Sequence, residues 1–424
     1  MLAPFLVIGC LLGGEPAGDA DLKTEVPQLV HKLDADTVKE RTEAKDRLLK
    51  LGPAVLDLLP SPESQPNENL KNVLRDVRKQ LQETLAAKSI EATTVTLTGR
   101  LRVSKVLAEI QKQTGNTIAD LPRQAGAAIP DPEIDVKFDK TPFWTALDAV
   151  LDQAQLSIYA YANSQPHALQ IVPRGPNELP RTGRAAIQGP MRIEPVRVLA
   201  KRELRSSAPP ALQVSLEVAW EPRLQPIVVK QRIADLKIVD SSGAGVATDD
   251  PQAEKEAFPG AGGSAVEMDI SLAVPPQPLK EIASLTGSVR AMMLGKPETF
   301  RFDDLLKAKQ EKRIAAATVV LEEVRKNGNV WEVFVRLRYD DAGEAFESYQ
   351  SWPLQNEVYL EDKDGKRIKP DTMETTGREG KNDIGFGYVF DLSDSPKDLH
   401  LIYSTPGMIV TKDYPYKVQG LKMP

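Results

Sequence analysis

Leu212-Gln213-Val214-Ser215-Leu216-Glu217-Val218-Ala219-Trp220 carries apolar side chains at 212, 214, 216, 218 and 220, with Gln, Ser and Glu between the first four. A period of two sends alternate side chains to opposite faces, so this stretch reads as a half-buried β-strand. The same texture extends upstream and downstream through Met191 to Leu199, Val228 to Val239 and Val266 to Val274. A short charged connector, Phe302 to Lys312, follows. Beyond it the pattern returns in Thr318–Val324, Trp331–Tyr339, Val358–Leu360, Gly387–Leu392, Leu399–Tyr403 and Tyr414–Val418. Strands at a spacing of about ten residues, with turn residues between them, predict β-sandwiches.

The two stretches also echo one another. Leu216–Trp220 and Val333–Leu337 lead through comparable loops to Leu236-Lys237-Ile238-Val239-Asp240-Ser241-Ser242-Gly243 and to Val358-Tyr359-Leu360-Glu361-Asp362-Lys363-Asp364-Gly365. Ile270-Ser271-Leu272 and Phe390-Asp391-Leu392 are each followed by a Pro-containing turn. This pattern predicts tandem, duplicated β-domains over residues 191–306 and 312–424.

The first half of the chain is different. Residues 21–90 read as helices: Asp36 is a candidate cap for a helix through Val38, Ala44, Leu48 and Leu51, and another starts at Asn67. In the latter, Leu70, Val73, Leu74, Val77, Leu81 and Leu85 recur at three- and four-residue steps. The run from Glu40 through Leu48 to Leu51-Gly52-Pro53-Ala54-Val55 resembles a HEAT-type helical repeat. Residues 93–174 alternate strand and helix patterns in the order β-α-β-β-α-β-β, with Gly115 ending the first helix and Thr141-Pro142 opening the second. With Lys112-Gln113-Thr114-Gly115-Asn116 and Pro142-Phe143-Trp144-Thr145-Ala146-Leu147, this segment resembles the short N-terminal domain of secretins and TonB-dependent receptors. The resemblance implies a small α+β module that makes protein–protein contacts in the periplasm. Residues 175–190 are rich in Pro and Gly and read as a linker. The expected fold class is therefore multidomain α+β: a helical segment, one small module and two tandem β-sandwich-like domains.

Among the 424 residues, 54 Lys and Arg stand against 60 Asp and Glu, a near-balanced mixture without the basic footprint of a nucleic-acid binder. One Cys excludes an intramolecular disulfide framework and a Cys-based zinc site. That residue, Cys10, ends the apolar run Phe5-Leu6-Val7-Ile8-Gly9. Twelve residues of helix span only about 18 Å, too short for a bilayer, so residues 1–20 read as a signal segment and tether. Val7-Ile8-Gly9-Cys10 resembles the lipobox of bacterial lipoproteins. The resemblance implies lipidation at Cys10 and residence on the periplasmic face of a membrane. Plain secretion and a cytosolic chain are the competing readings.

Catalytic signatures are sparse. His31, His167 and His400 lie far apart, and no Gly-x-Ser-x-Gly elbow or phosphate loop occurs. Asp362-Lys363-Asp364-Gly365 reads as a hairpin turn rather than a calcium loop. No cofactor or metal site is expected. Tyr349, Trp352 and Tyr359 form one candidate contact surface for protein or glycan, with core packing as the alternative. The expected role is a non-enzymatic envelope protein with a protein partner. Its alternatives are a component of a secretion or uptake assembly, and a glycan-binding or glycan-processing protein.

Overall fold

The computed structural model describes residues 19–119, 131–159, 167–205, 207, 210–260, 262–275, 277–307, 309–347 and 352–424. Cys10 and Tyr349 lie outside them. The chain divides into two compact units, residues 1–86 and 87–424.

The first unit is helical. α1 (Asp19–Lys32), α2 (Val38–Leu51) and α3 (Glu68–Ser89) bury Leu22, Val26, Leu48, Leu74, Val77 and Leu81 in one apolar cluster. The cap of α2 is Thr37, not Asp36. Its hydroxyl accepts from the Glu40 N–H at 3.3 Å and donates to the Glu40 carboxylate at 2.6 Å, so Thr37 satisfies one of the free amides of the first turn.

The second unit begins with β1 (Thr94–Arg102), α4 (Val103–Thr114), β2 (Thr117–Ile118), β3 (Glu133–Pro142), α5 (Phe143–Gln153), β4 (Leu156–Tyr159) and β5 (Ala168–Pro173). β1 pairs with β3, while β5 lies between β2 and β4. Both helices press their apolar faces inward: Val103, Val106, Leu107 and Ile110 from α4, and Phe143, Trp144, Leu147, Val150 and Leu151 from α5. Gly115 adopts φ 69° at the end of α4, a left-handed conformation that glycine enters without a Cβ penalty. Thr141-Pro142 does not open α5 as a cap and first turn. β3 runs on to Pro142, because Thr94 and Val95 pair with Pro142 and Thr141.

The remaining strands are β6 (Ala186–Gln188), β7 (Met191–Lys201), β8 (Ala211–Trp220), β9 (Pro226–Arg232), β10 (Lys237–Asp240), β11 (Glu254–Ala257), β12 (Ala265–Leu272), β13 (Glu281–Leu294), β14 (Pro297–Phe302), β15 (Gln310–Ile314), β16 (Ala317–Asn327), β17 (Val330–Tyr339), β18 (Glu357–Glu361), β19 (Arg367–Ile368), β20 (Thr372–Gly377), β21 (Asp383–Phe390), β22 (His400–Pro406) and β23 (Ile409–Lys422). They form two pairs of sheets. In the first pair, β12-β8-β7-β6 faces the sheet β10-β13-β9-β11, which β23 extends along the other edge of β13. In the second pair, β15-β16-β17-β21-β20 faces β14-β22-β18-β19. Each pair encloses one apolar core, and the alternation of Leu212–Trp220 sends Leu212, Val214, Leu216, Val218 and Trp220 into the first.

Strand pairing crosses the boundary expected at 306–312. β14 precedes it but pairs with β22 and buries Phe300 and Phe302 in the second core. β23 lies beyond it but pairs with β13 from Glu281↔Lys422 to Leu294↔Ile409, placing Tyr414, Tyr416 and Val418 in the first core. Each half thus lends its last strand to the other. The reason is local: the β13–β14 and β22–β23 connections are short, yet Phe300, Phe302, Tyr414 and Tyr416 each find their apolar partners across the boundary.

Candidate contact surface

Polar clamps fix the α+β module to the first sheet pair. Glu221, fully buried just after β8, accepts from the Thr93 backbone N–H and hydroxyl at 2.8 Å each. The same carboxylate accepts from Asn116 Nδ2 at 3.1 Å and from Arg223 Nε at 2.8 Å. A second clamp centres on Asp148 of α5, which accepts from Arg192 Nε at 2.9 Å and Arg181 Nε at 2.7 Å. Arg192 also reaches Glu194 at 2.6 Å. Burial works against its charge, but Asp148 and Glu194 outweigh it and raise its pKa. Trp144 Nε1 donates to the Pro190 carbonyl at 2.9 Å.

The segment 175–190 is tied into these clamps. Asp152 accepts from the backbone N–H groups of Arg181 and Thr182 at 2.8 Å and from the Arg174 guanidinium. Burial raises the Asp152 carboxyl, but those donors together hold it below the usual carboxylate range. Sequence composition alone gave no sign of this anchoring, because the ligands of Asp152 are mostly backbone groups.

This anchoring positions the most open part of the unit. β6 pairs only with Met191–Ile193, so from Glu194 onward one edge of β7 has no strand beside it among the described residues. The outer edge of β23 is likewise unpaired in the sheet. The β6–β7 turn closes on β23, where a Cβ added to Gly189 would lie 3.3 Å from Tyr414 Cε1. From that contact the two strands part. Pro195–Val198 on one side and Lys417–Lys422 on the other line a hollow of about 550 Å³. A second, separate hollow of about 340 Å³ lies at the ends of both strands, between Ala200–Arg202, Val274 and Met423.

Apolar surface is concentrated there. Of the eleven large apolar side chains exposed among the described residues, Leu179, Val196 and Val274 line these hollows, and Leu199 and Leu204 lie on or just after the end of β7. Val196 and Leu199 are 43% and 44% exposed, and Leu204 is 89% exposed. Scattered single residues of this kind are ordinary on a protein surface, whereas a cluster beside an unpaired strand edge marks a place for contact. Basic residues frame it: Arg184, Arg197, Lys201, Arg202, Lys417 and Lys422 line the two hollows, and among the described residues no Asp or Glu does.

The aromatic candidates lie elsewhere. Trp352 is 8% exposed and stacks on Phe346, with ring centroids 5.6 Å apart and an interplanar angle of 13°. Its indole N–H donates to the Ala345 carbonyl at 2.6 Å. Tyr359 is 7% exposed, and the Arg367 guanidinium lies 4.5 Å from its ring centroid. These two rings serve packing rather than an open platform. Trp352 does border a small cleft of about 120 Å³ with Trp220, Phe258 and His167. Burial lowers the pKa of His167, and the backbone N–H of that residue donates to the Gly262 carbonyl at 2.9 Å. His31 is exposed on α1, and His400 lies 3.1 Å from Asp303. Among the described residues no three His, Cys, Asp or Glu side chains converge as metal ligands. Asp362 caps its own turn, accepting from the N–H groups of Asp364 and Lys366 at 2.9 Å each.

The β7–β23 hollow escapes sequence reading. Val196 looks like any strand residue, and only the pairing of β23 with β13 puts Lys417 and Lys422 across the hollow from it.

No family model matches the chain, and no curated protein matches it. A solved structure described as the crystal structure of the conserved domain protein from Bacillus anthracis aligns with 55% of this chain and 89% of its own, at 8% identity and a TM-score of 0.18. A likeness at that score carries no argument.

Proposed function

We propose that this chain is a non-enzymatic contact protein of the bacterial cell envelope, exported and held on a membrane by a lipid at Cys10. The observation that carries the contact role is the cluster of exposed Leu179, Val196, Leu199 and Val274 beside the unpaired edges of β7 and β23. Such a surface buries its apolar area only when something sits on it, and its unpaired edges offer an incoming chain a template for backbone pairing. The lipid anchor rests on Val7-Ile8-Gly9-Cys10, and a periplasmic contact role also agrees with the resemblance of residues 93–174 to the secretin and TonB short N-terminal domain.

In this reading the two sheet pairs are related β-sandwiches arisen by duplication. Their strand orders support it: β12-β8-β7-β6 in one corresponds to β21-β17-β16-β15 in the other. The exchanged strands β14 and β23 hold the pair together, so the contact surface sits on a stiff body rather than on a free module.

A photoreactive amino acid at Val196, introduced in cells, tests the reading. A covalent adduct to another protein is expected at Val196 and absent at Met373, an exposed residue of β20. No adduct at Val196, Leu179 or Leu199 would overturn the contact role. Mass spectrometry of the mature N-terminus tests the anchor: a diacylglyceryl group on Cys10 supports it, and an unmodified Cys10 in the mature chain contradicts it.

A further inference from the structure

We propose that the hollow between β7 and β23 takes an extended acidic segment of another protein, added as a strand along the free edge Arg197–Lys201. This inference rests on the contact reading above and names the chemistry of its occupant.

Main-chain geometry selects an extended peptide. Arg197–Lys201 pairs with Ala211–Ser215 of β8 along one edge and presents its other edge unpaired. Alternate residues of such an edge offer an N–H and a C=O to an incoming strand about 4.8 Å away. The five residues span about 16 Å, enough for several ladder bonds. Pairing cannot continue past Pro195, which lacks an N–H and adjoins the bulge between Pro195 and Arg197. The site therefore has a defined end.

Charge selects the acidic sequence. The whole chain carries more acid than base, 60 against 54, yet among the described residues the lining of the two hollows holds six basic residues and no acidic one. Arg184, Arg197 and Lys201 are paired with Glu194, Glu267 and Glu203, which lie outside that lining. Arg202, Lys417 and Lys422 have no ion-pair partner among the described residues. They are free to meet carboxylates of an incoming chain. Exposed Val196, Leu179 and Val274 supply apolar contacts for the alternate side chains. An occupant with acidic and β-branched residues in alternation meets both demands at once.

The test uses the full chain and a labelled octapeptide of alternating Glu and Val, with binding read by fluorescence anisotropy in 0.15 M salt. Binding is expected, together with slowed hydrogen exchange at Arg197–Lys201. A peptide with Lys in place of Glu, and one N-methylated at alternate amides, should each bind at least about tenfold more weakly. The variant Lys417→Glu with Lys422→Glu should weaken the Glu-Val peptide by about fivefold or more, with an unchanged circular dichroism spectrum. Equal binding of the N-methylated peptide would overturn the strand mode. Slowed exchange at Arg197–Lys201 with phosphatidylglycerol vesicles but not with the peptide would assign the surface to a membrane and overturn the proposal. Capture of a protein at Val196 in cells, with no binding of the peptide at millimolar concentration, would remove the acidic strand and leave the contact reading standing. Failure of both would remove both.

Discussion

Replacing Gly287 by Ala probes the strand exchange between the two sheet pairs. Gly287 sits in β13 opposite Tyr416 of β23. An added Cβ would lie 2.7 Å from Tyr416 Oη, 2.8 Å from Tyr416 Cζ and 2.7 Å from Leu236 Cδ2. Carbon atoms pack best at about 3.5–4.0 Å, so the methyl group intrudes by about 1 Å on two sides. The ring cannot yield cheaply, because the buried Tyr416 hydroxyl donates to Gln231 Oε1 at 3.0 Å. Overpacking of this kind costs about 1–3 kcal/mol, and loss of the hydrogen bond adds about 1 kcal/mol. Reduced freedom of the unfolded chain returns about 0.4–1 kcal/mol. The net destabilisation expected is about 1–3 kcal/mol; with about 2.1 cal/mol/K of unfolding entropy per residue over residues 87–424, Tm falls by about 1–4 °C. Thermal unfolding followed by tryptophan fluorescence measures it. Gly245→Ala is the control: nothing lies within 4 Å of its added Cβ, so its effect should stay within about 0.5 kcal/mol. In a Tyr416→Leu background, the cost of Gly287→Ala should shrink by about 1 kcal/mol or more. Equal effects at Gly287 and Gly245, or full additivity with Tyr416→Leu, would refute the close packing of β23 on β13.

Three further outcomes follow from the same contacts. Arg192→Met leaves the buried Asp148 carboxylate with Arg181 as its one remaining cation and should cost about 3–5 kcal/mol in urea unfolding; a cost below about 1 kcal/mol would contradict the clamp. Asp152 has a lowered folded pKa, so its stabilising effect is present in full above the unfolded value of about 3.9 and is lost as pH falls through the folded value. Asp152→Asn should therefore lower the urea midpoint at pH 6 and flatten its dependence on pH below about 4; an unchanged slope would contradict the role given to Asp152. A chain ending at Gly407 lacks β23 and, with it, buried Tyr414, Tyr416 and Val418; near-ultraviolet circular dichroism should report lost packing in the first sheet pair, and a native spectrum would contradict the exchange.

How much of this was legible beforehand depended on the range of the interaction. Alternation at Leu212–Trp220 and three-to-four spacing at Leu70–Leu81 encode which face of one element is buried, and both elements form where those patterns lie. Partner choice is another matter. Nothing in Tyr414-Pro415-Tyr416 says that these rings belong with Gly287 and Gln231, more than a hundred residues earlier, and the charged connector near 302–312 invited a boundary there. The aromatic candidates misled for a related reason: Trp352 and Tyr359 read alike as exposed or buried until Phe346 and Arg367 are placed beside them. The hollow beside β7 depends on an absent neighbour, the strand that β6 is too short to provide beyond Ile193. Sequence periodicity reports what a strand offers, and only the assembled sheets report which offers are left unanswered.

The most direct measurement of the contact surface is adduct yield from a photoreactive residue at Leu179, compared in cells between the otherwise native chain and a Val196→Asp, Leu199→Asp variant. Both substituted side chains are exposed, so the variant should melt within about 1 °C of the native chain. The account expects the adduct to a partner protein to disappear in that folded variant. Undiminished adduct would contradict it.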